Sequence, residues 1–116
     1  GGGGGAGGIG ELTDPPEANM AGGIGLSSDI TGLSTTYSTG GRGVVNPSPA
    51  IAGNSNTGDG GDGAGAFYPS AAGGSGVVIL RMPTANYSGI TTGSPTITTD
   101  GSDTILTYTT SGTYTA

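Results

Sequence analysis

The sequence predicts an all-β to irregular fold with no α-helix, and three observations carry that prediction. Glycine supplies 28 of 116 residues, about a quarter of the chain where roughly 7% is usual. Twenty-four of these glycines precede Val77 and four follow it. Beyond that boundary the chain is rich in Val, Ile and Thr, residues that favour strands. The shift in composition divides the chain into a glycine-rich module, 1–76, and a β-strand region, 77–116.

In the first part Gly-Gly-x-Gly begins at Gly7, Gly22, Gly40, Gly60 and Gly73, with Ile9, Ile24, Arg42, Asp62 and Ser75 at x. Repeats are read first because they decide architecture. Intervals of 13 to 20 residues separate the copies, filled with loop formers such as Asp14-Pro15-Pro16 and Asn46-Pro47-Ser48-Pro49. Glycines three apart suit an extended helix of the polyproline II type, with three residues per turn and backbone polar groups pointing sideways. Several such helices packed side by side satisfy each other's amides and carbonyls where glycine permits close approach. The alternative is a flexible glycine linker. Ile9, Ile24, Ile30, Leu33, Val44, Val45, Ile51 and Phe67 argue against it, since a linker needs no apolar skin. Arg42 interrupts a glycine repeat and is expected to point to solvent.

From Val77 the strand pattern takes over. Val77 and Ile79 face one way and Val78, Leu80 and Met82 the other, so both faces of this strand are expected to be covered. Pro83 closes it. Strands are predicted near 77–82, 96–99, 104–109 and 113–115, with Asp100-Gly101 as the turn between the second and third. Arg81 is expected to pair with Asp100 or Asp103, and Tyr108 and Tyr114 to pack across strands. The segment from Glu17 to Met20 is too short for a helix and sits beside prolines. One strand and one hairpin are marginal alone, and their open edge invites another chain. The chain is therefore expected as a homo-oligomer or filament, or joined to neighbouring modules.

Charge and composition exclude several functions. The formal net charge is −6 and the basic residues are Arg42 and Arg81, so no Lys/Arg cluster exists to displace counterions from nucleic acid phosphates. No apolar run approaches the ~20 residues of a membrane span. Cysteine, histidine and lysine are absent, leaving only carboxylates as bases for a nucleophile. The pairs Asp59 with Asp62 and Glu11 with Asp14 lie in hydrophilic stretches with no apolar pocket to raise a pKa. No catalytic residue is assigned and the chain is not expected to be an enzyme. With Met20 as its first methionine, the chain is read as a processed product or a fragment.

Gly58-Asp59-Gly60-Gly61-Asp62-Gly63, preceded by Asn54 and Asn56, is the metal candidate. Carboxylates, amide oxygens and carbonyls turned inward by glycine make a calcium-type donor set. Asp59, Asp62, Asn54 and Asn56 are thus candidate calcium ligands, with a solvated acidic turn as the alternative. Tyr37 and Tyr87, in loop-like segments, are candidate ligand contacts suited to stacking on a glycan. Asn86-Tyr87-Ser88 is an N-glycosylation sequon, meaningful in a eukaryotic source.

The stretch Gly73-Gly74-Ser75-Gly76-Val77-Val78-Ile79-Leu80-Arg81 resembles the end of the glycine-rich domain of bacteriophage tail fibres and tail-tip adhesins. The Gly1 to Gly10 run is similar to the start of that glycine block, and Thr96 to Ala116 to the Thr-rich strands that follow it. The resemblance implies a polyglycine II sandwich, with threefold glycine helices packed in layers and connecting loops displaying variable side chains. It implies a structural or adhesive role on a virion surface, in contact with a host glycan or outer-membrane protein. Small, polar loops suit a repeated shaft module as well as a tip. A subunit of a non-viral extracellular filament or surface layer is the alternative, and a calcium-stabilised secreted β-repeat a third.

Overall fold

The computed structural model describes residues 1–12, 20–43 and 49–116. Asp14 to Pro16, Glu17 to Asn19, Val44, Val45 and Asn46 to Ser48 lie outside the described residues. The fold is all-β and irregular, with no α-helix among the described residues. It comprises two compact units: Gly1–Ser27 with Thr36–Gly76, and Ser28–Thr35 with Val77–Ala116.

The first unit is built from the glycine repeats. Segments 1–12, 20–25, 38–43, 51–54, 58–63 and 71–75 run alongside one another and exchange backbone hydrogen bonds. Their register advances by three. Gly40 N donates to Gly23 O, and Met20 and Gly43 exchange bonds three residues further along each segment. Gly60 N donates to Thr39 O and Gly63 N to Arg42 O; Gly74 N donates to Asp59 O and Ala71 N to Asp62 O. In a β-ladder, groups on one side of a strand recur every two residues. A step of three departs from that pattern. The bonding also leaves the plane of a sheet. Gly3 N donates to Gly41 O, Gly40 N to Gly23 O, and Gly23 N to Gly3 O, so three segments close a triangle.

Glycine is what allows this. A Cβ on Gly23 would overlap Gly8 O and Gly5 N, and one on Gly74 would overlap Asn54 O, all closer than 3.0 Å. Backbone occupies the space where a core would otherwise lie, and the large side chains turn outward. Ile9, Leu12, Ile24, Leu26, Ile51 and Phe67 are exposed, and Met20 is the buried large apolar side chain among this unit's described residues.

Two strands, β1 (Leu26–Ser28) and β2 (Thr35–Tyr37), form a hairpin. Its turn is closed by Gly32 N donating to Asp29 O at 2.8 Å, with Gly32 at φ +85°.

The second unit contains a three-stranded antiparallel sheet of β3 (Val78–Pro83), β6 (Asp103–Tyr108) and β5 (Thr96–Asp100), with β6 central. A two-stranded sheet pairs β4 (Ile90–Thr92) with β7 (Thr113–Thr115). Burial follows neighbours. Central β6 holds Thr104, Ile105, Leu106 and Tyr108, with Ile105 1% and Leu106 0% exposed. The expectation that the Val77–Met82 strand is covered on both faces is corrected: β3 is an edge strand and Val78 is 59% exposed. A hydrophobic run marks a strand, but only pairing on both sides makes it central. The turn also shifts by one residue. Asp100 pairs with Asp103, leaving Gly101-Ser102 as the two-residue loop with Gly101 at φ +59°, because a tight hairpin of this kind takes glycine at its first loop position. Arg81 pairs with both expected partners, Nε to Asp103 Oδ2 at 2.8 Å and Nη2 to Asp100 Oδ2 at 2.9 Å. Strands β1, β2 and β4, three residues each, were too short to stand out by alternation.

Gly23→Ala and Gly74→Ala are each expected to lower stability by about 3 kcal/mol or more, because rigid backbone meets the new methyl. Gly76→Ala, with nothing within 4 Å of its Cβ position, should shift it by no more than ~0.5 kcal/mol. Thermal unfolding of the three variants checks this; equal melting temperatures would refute backbone close-packing.

Candidate functional site

The register fixes which residues share an end of the first unit. Glu11 N donates to Ala21 O, Met20 and Gly43 exchange both bonds, Asp62 N donates to Ile51 O, and Ala71 N donates to Asp62 O. Residues 11, 20–21, 42–43, 51, 62 and 71 therefore gather at one end. The opposite end joins Ala6 to Ser38, Ser38 to Thr57, and Gly58 to Ser75. The connection between residues 63 and 71 leaves from the first end.

The 63–71 connection is described throughout. Gly65 N donates to Tyr68 O at 3.1 Å, closing a turn that carries Phe67, 77% exposed, and the exposed Tyr68. Leu12, at the start of another connection, is 87% exposed. Phe67 was legible in the sequence only as part of an apolar skin, and Tyr68 carried no signal at all. The aromatic, proline-bearing run Phe67-Tyr68-Pro69 between two glycine repeats was the available cue.

Between the two ends, along residues 59–63, runs a carboxylate clamp. Thr39 N donates to Asp59 Oδ1 at 2.9 Å while Thr39 O accepts from Gly60 N at 2.8 Å. Three residues on, Arg42 N donates to Asp62 Oδ1 at 2.8 Å while Arg42 O accepts from Gly63 N at 2.8 Å. Each Asp-Gly pair thus takes both backbone polar groups of one facing residue, and the motif repeats with the threefold register. Asp62 Oδ2 also accepts from Ile51 N at 2.9 Å and from Arg42 Nε at 3.0 Å and Nη2 at 2.6 Å. The expectation that Arg42 points to solvent is corrected: its guanidinium is tied to Asp62, because a buried carboxylate needs charged or amide donors.

These bonds set the titration of both acids. The Arg42 guanidinium holds the Asp62 carboxyl down to about 2, against the opposing effect of its burial, with the amides of Ile51 and Arg42 adding to the shift. Asp59 is lowered by the Thr39 amide first and by Asn54 second.

Of the four calcium candidates, Asn54 and Asp59 are hydrogen-bonded to each other, while Asp62 and Asn56 have other partners. Asn54 Nδ2 donates to Asp59 Oδ2 at 2.8 Å, and Asn56 accepts from Ser75 Oγ through its Oδ1 at 3.0 Å while its own N donates to Ser75 Oγ at 2.9 Å. Asn56 stands at φ +62°, a conformation asparagine tolerates. Among the described residues no three His, Cys, Asp or Glu side chains gather in a metal-binding group. The acidic motif is occupied as a backbone clamp. Of the two tyrosine candidates, Tyr37 is half-buried on β2, and Tyr87 in the second unit stacks on Tyr114, ring centroids 6.0 Å apart.

No protein-family model, curated protein or solved structure matches this chain.

Asp62→Ala is expected to cost about 2–3 kcal/mol, since it strips a partner from Arg42 and from two amides. Because the folded pKa lies below the ordinary 3.8, the stabilisation is complete above about pH 4 and drains away as pH falls toward about 2. Acid titration of unfolding should therefore be steeper for the parent than for Asp62→Ala; identical slopes would refute the clamp. Calcium and chelator should each leave the melting temperature unchanged. A rise on adding calcium would support the metal reading instead.

Proposed function

We propose that this chain is a structural and adhesive module of a phage tail fibre or virion surface fibre. In this reading a polyglycine II sandwich is the scaffold and its loops make host-surface contact. The observation that carries the reading is the connection between residues 63 and 71, which leaves one end of a backbone-packed unit with Phe67 and Tyr68 exposed on it. The three-residue register and the closed triangle of glycine segments support polyglycine II packing. A rigid scaffold presenting loops is the usual architecture of recognition surfaces, and exposed aromatics are the side chains that most often anchor contacts. The implied partner is a host glycan or outer-membrane protein, and the implied location the virion surface or another extracellular site. No catalytic step is assigned. The unpaired edges of the three-stranded sheet favour a second reading, a subunit of a non-viral extracellular filament or surface layer.

Gold-labelled antibody against the chain, viewed by electron microscopy on native particles, separates the two. Label on virion fibres or tail tips supports the first reading, and label on long filaments free of virions sinks it. On fibres, Phe67→Ala with Tyr68→Ala is expected to lower adsorption to host cells about tenfold or more with the melting temperature unchanged. Full adsorption by that variant would remove these side chains from the contact.

A further inference from the structure

The three-stranded sheet ends on two outer edges, β3 and β5, and the described residues give neither a hydrogen-bonding partner. Natural edges are blunted by lysine, by bulges or by interior proline. Here the sequence has no lysine, and Pro83 is the last residue of β3. Both strands pair antiparallel to β6, so they run parallel to each other at opposite edges and are close in length, six and five residues.

The register places the side chains. Leu106 pairs with Leu80 on one side and with Ile97 on the other, and Tyr108 pairs with Val78. Val78, Leu80 and Ile97 therefore share one face. Arg81, Asp100 and Asp103 share the opposite face, where Arg81 bonds both acids. A groove of about 230 Å³ opens beside Val78 and Leu80, bounded by Tyr108, Gly112 and Tyr114. Ile97, on the far edge of the same face, is 46% exposed with no neighbouring strand to cover it.

We propose that copies of this chain join edge to edge, β5 of one adding to β3 of the next, with Ile97 entering the groove beside Val78 and Leu80. Translation of a copy across the sheet brings those two edges together in parallel and continues each face into the next copy. The apolar faces then adjoin, while the charges stay on the other face in their own ion pairs, so the net charge of −6 per copy is not concentrated at the joint. Main-chain bonds supply affinity and the groove supplies register, as in strand addition generally. The contact is heterologous, so it propagates rather than closing as a two-fold dimer. It rests on the second unit alone and does not depend on the proposed host contact.

The test uses the full chain with Val78→Lys, which spoils the β3 edge, and Ile97→Lys, which spoils the β5 edge. By light scattering over a dilution series the parent is expected to associate beyond dimer. Each variant alone should dissociate at concentrations about tenfold higher or more. An equimolar mixture should form a dimer and stop there, because one good β5 edge meets one good β3 edge. A monomeric parent, self-association by either variant at parent strength, or a mixture that stays monomeric would each overturn the proposal. Should a lysine variant fail to fold, hydrogen exchange of the parent decides. Amides of β3 and β5 must gain protection as concentration rises, and unchanged protection at either edge overturns the joint.

Discussion

Contact between main chains, closer than any Cβ would allow, is the constraint on which the first unit depends. A methyl at Gly22, Gly40 or Gly41 would overlap the carbonyl of a facing segment. Glycine loses more conformational freedom on folding than any other residue, and among this unit's described residues Met20 is the large apolar side chain buried to offset that loss. What remains is a dense set of backbone hydrogen bonds, each contributing about 0.5–1.5 kcal/mol net, arranged so that a segment bonds to neighbours in more than one direction. Removing the side chains from the interior is the condition for that density, and it leaves Ile9, Ile24 and Phe67 on the outside.

The clamp formed by Asp59-Gly60 and Asp62-Gly63 belongs to the same logic. A facing residue in a glycine bundle presents an amide and a carbonyl sideways. The glycine amide satisfies the carbonyl, and the preceding carboxylate satisfies the amide. Because the hydrogen bonds between these segments recur every three residues, the acids stand three apart as well. Buried carboxylates are costly unless hydrogen-bonded, and here every bond they accept ties one glycine segment to another. Charge in this unit is structural mortar between main chains.

The second unit is stabilised differently, by ordinary side-chain burial along β6. Ile105 and Leu106 are adjacent in sequence and point to opposite faces, so their joint burial requires cover on both faces of the central strand. Arg81 bridges acids on β5 and β6 across one face and donates to Ile30 O at 3.3 Å. The sheet is thus well held at its centre and bare at its margins. That contrast, a firm middle strand with two plain edges, is what a unit designed to continue into a neighbour would show.

Sequence alone determined the class of the fold. Twenty-four glycines before Val77 leave no material for a conventional core in the first part, the Gly-Gly-x-Gly spacing announces a three-residue repeat, and the β-branched runs after Val77 announce strands; Asp100 or Asp103 was legible as a partner for Arg81. Only the tertiary structure decided what each feature faces. Whether Val77 to Met82 is a central or an edge strand depends on which segments pair with it, and no local pattern encodes that. Asp59 and Asp62 looked like cation ligands because oxygen atoms among glycines suit calcium. Their hydrogen-bonding partners, Thr39, Arg42 and Ile51, lie 11 to 20 residues away in sequence and become neighbours only when these segments pack together. Phe67 and Tyr68 acquire meaning the same way, since the end of the unit on which a loop sits is set by the register of the glycine segments and not by the loop itself.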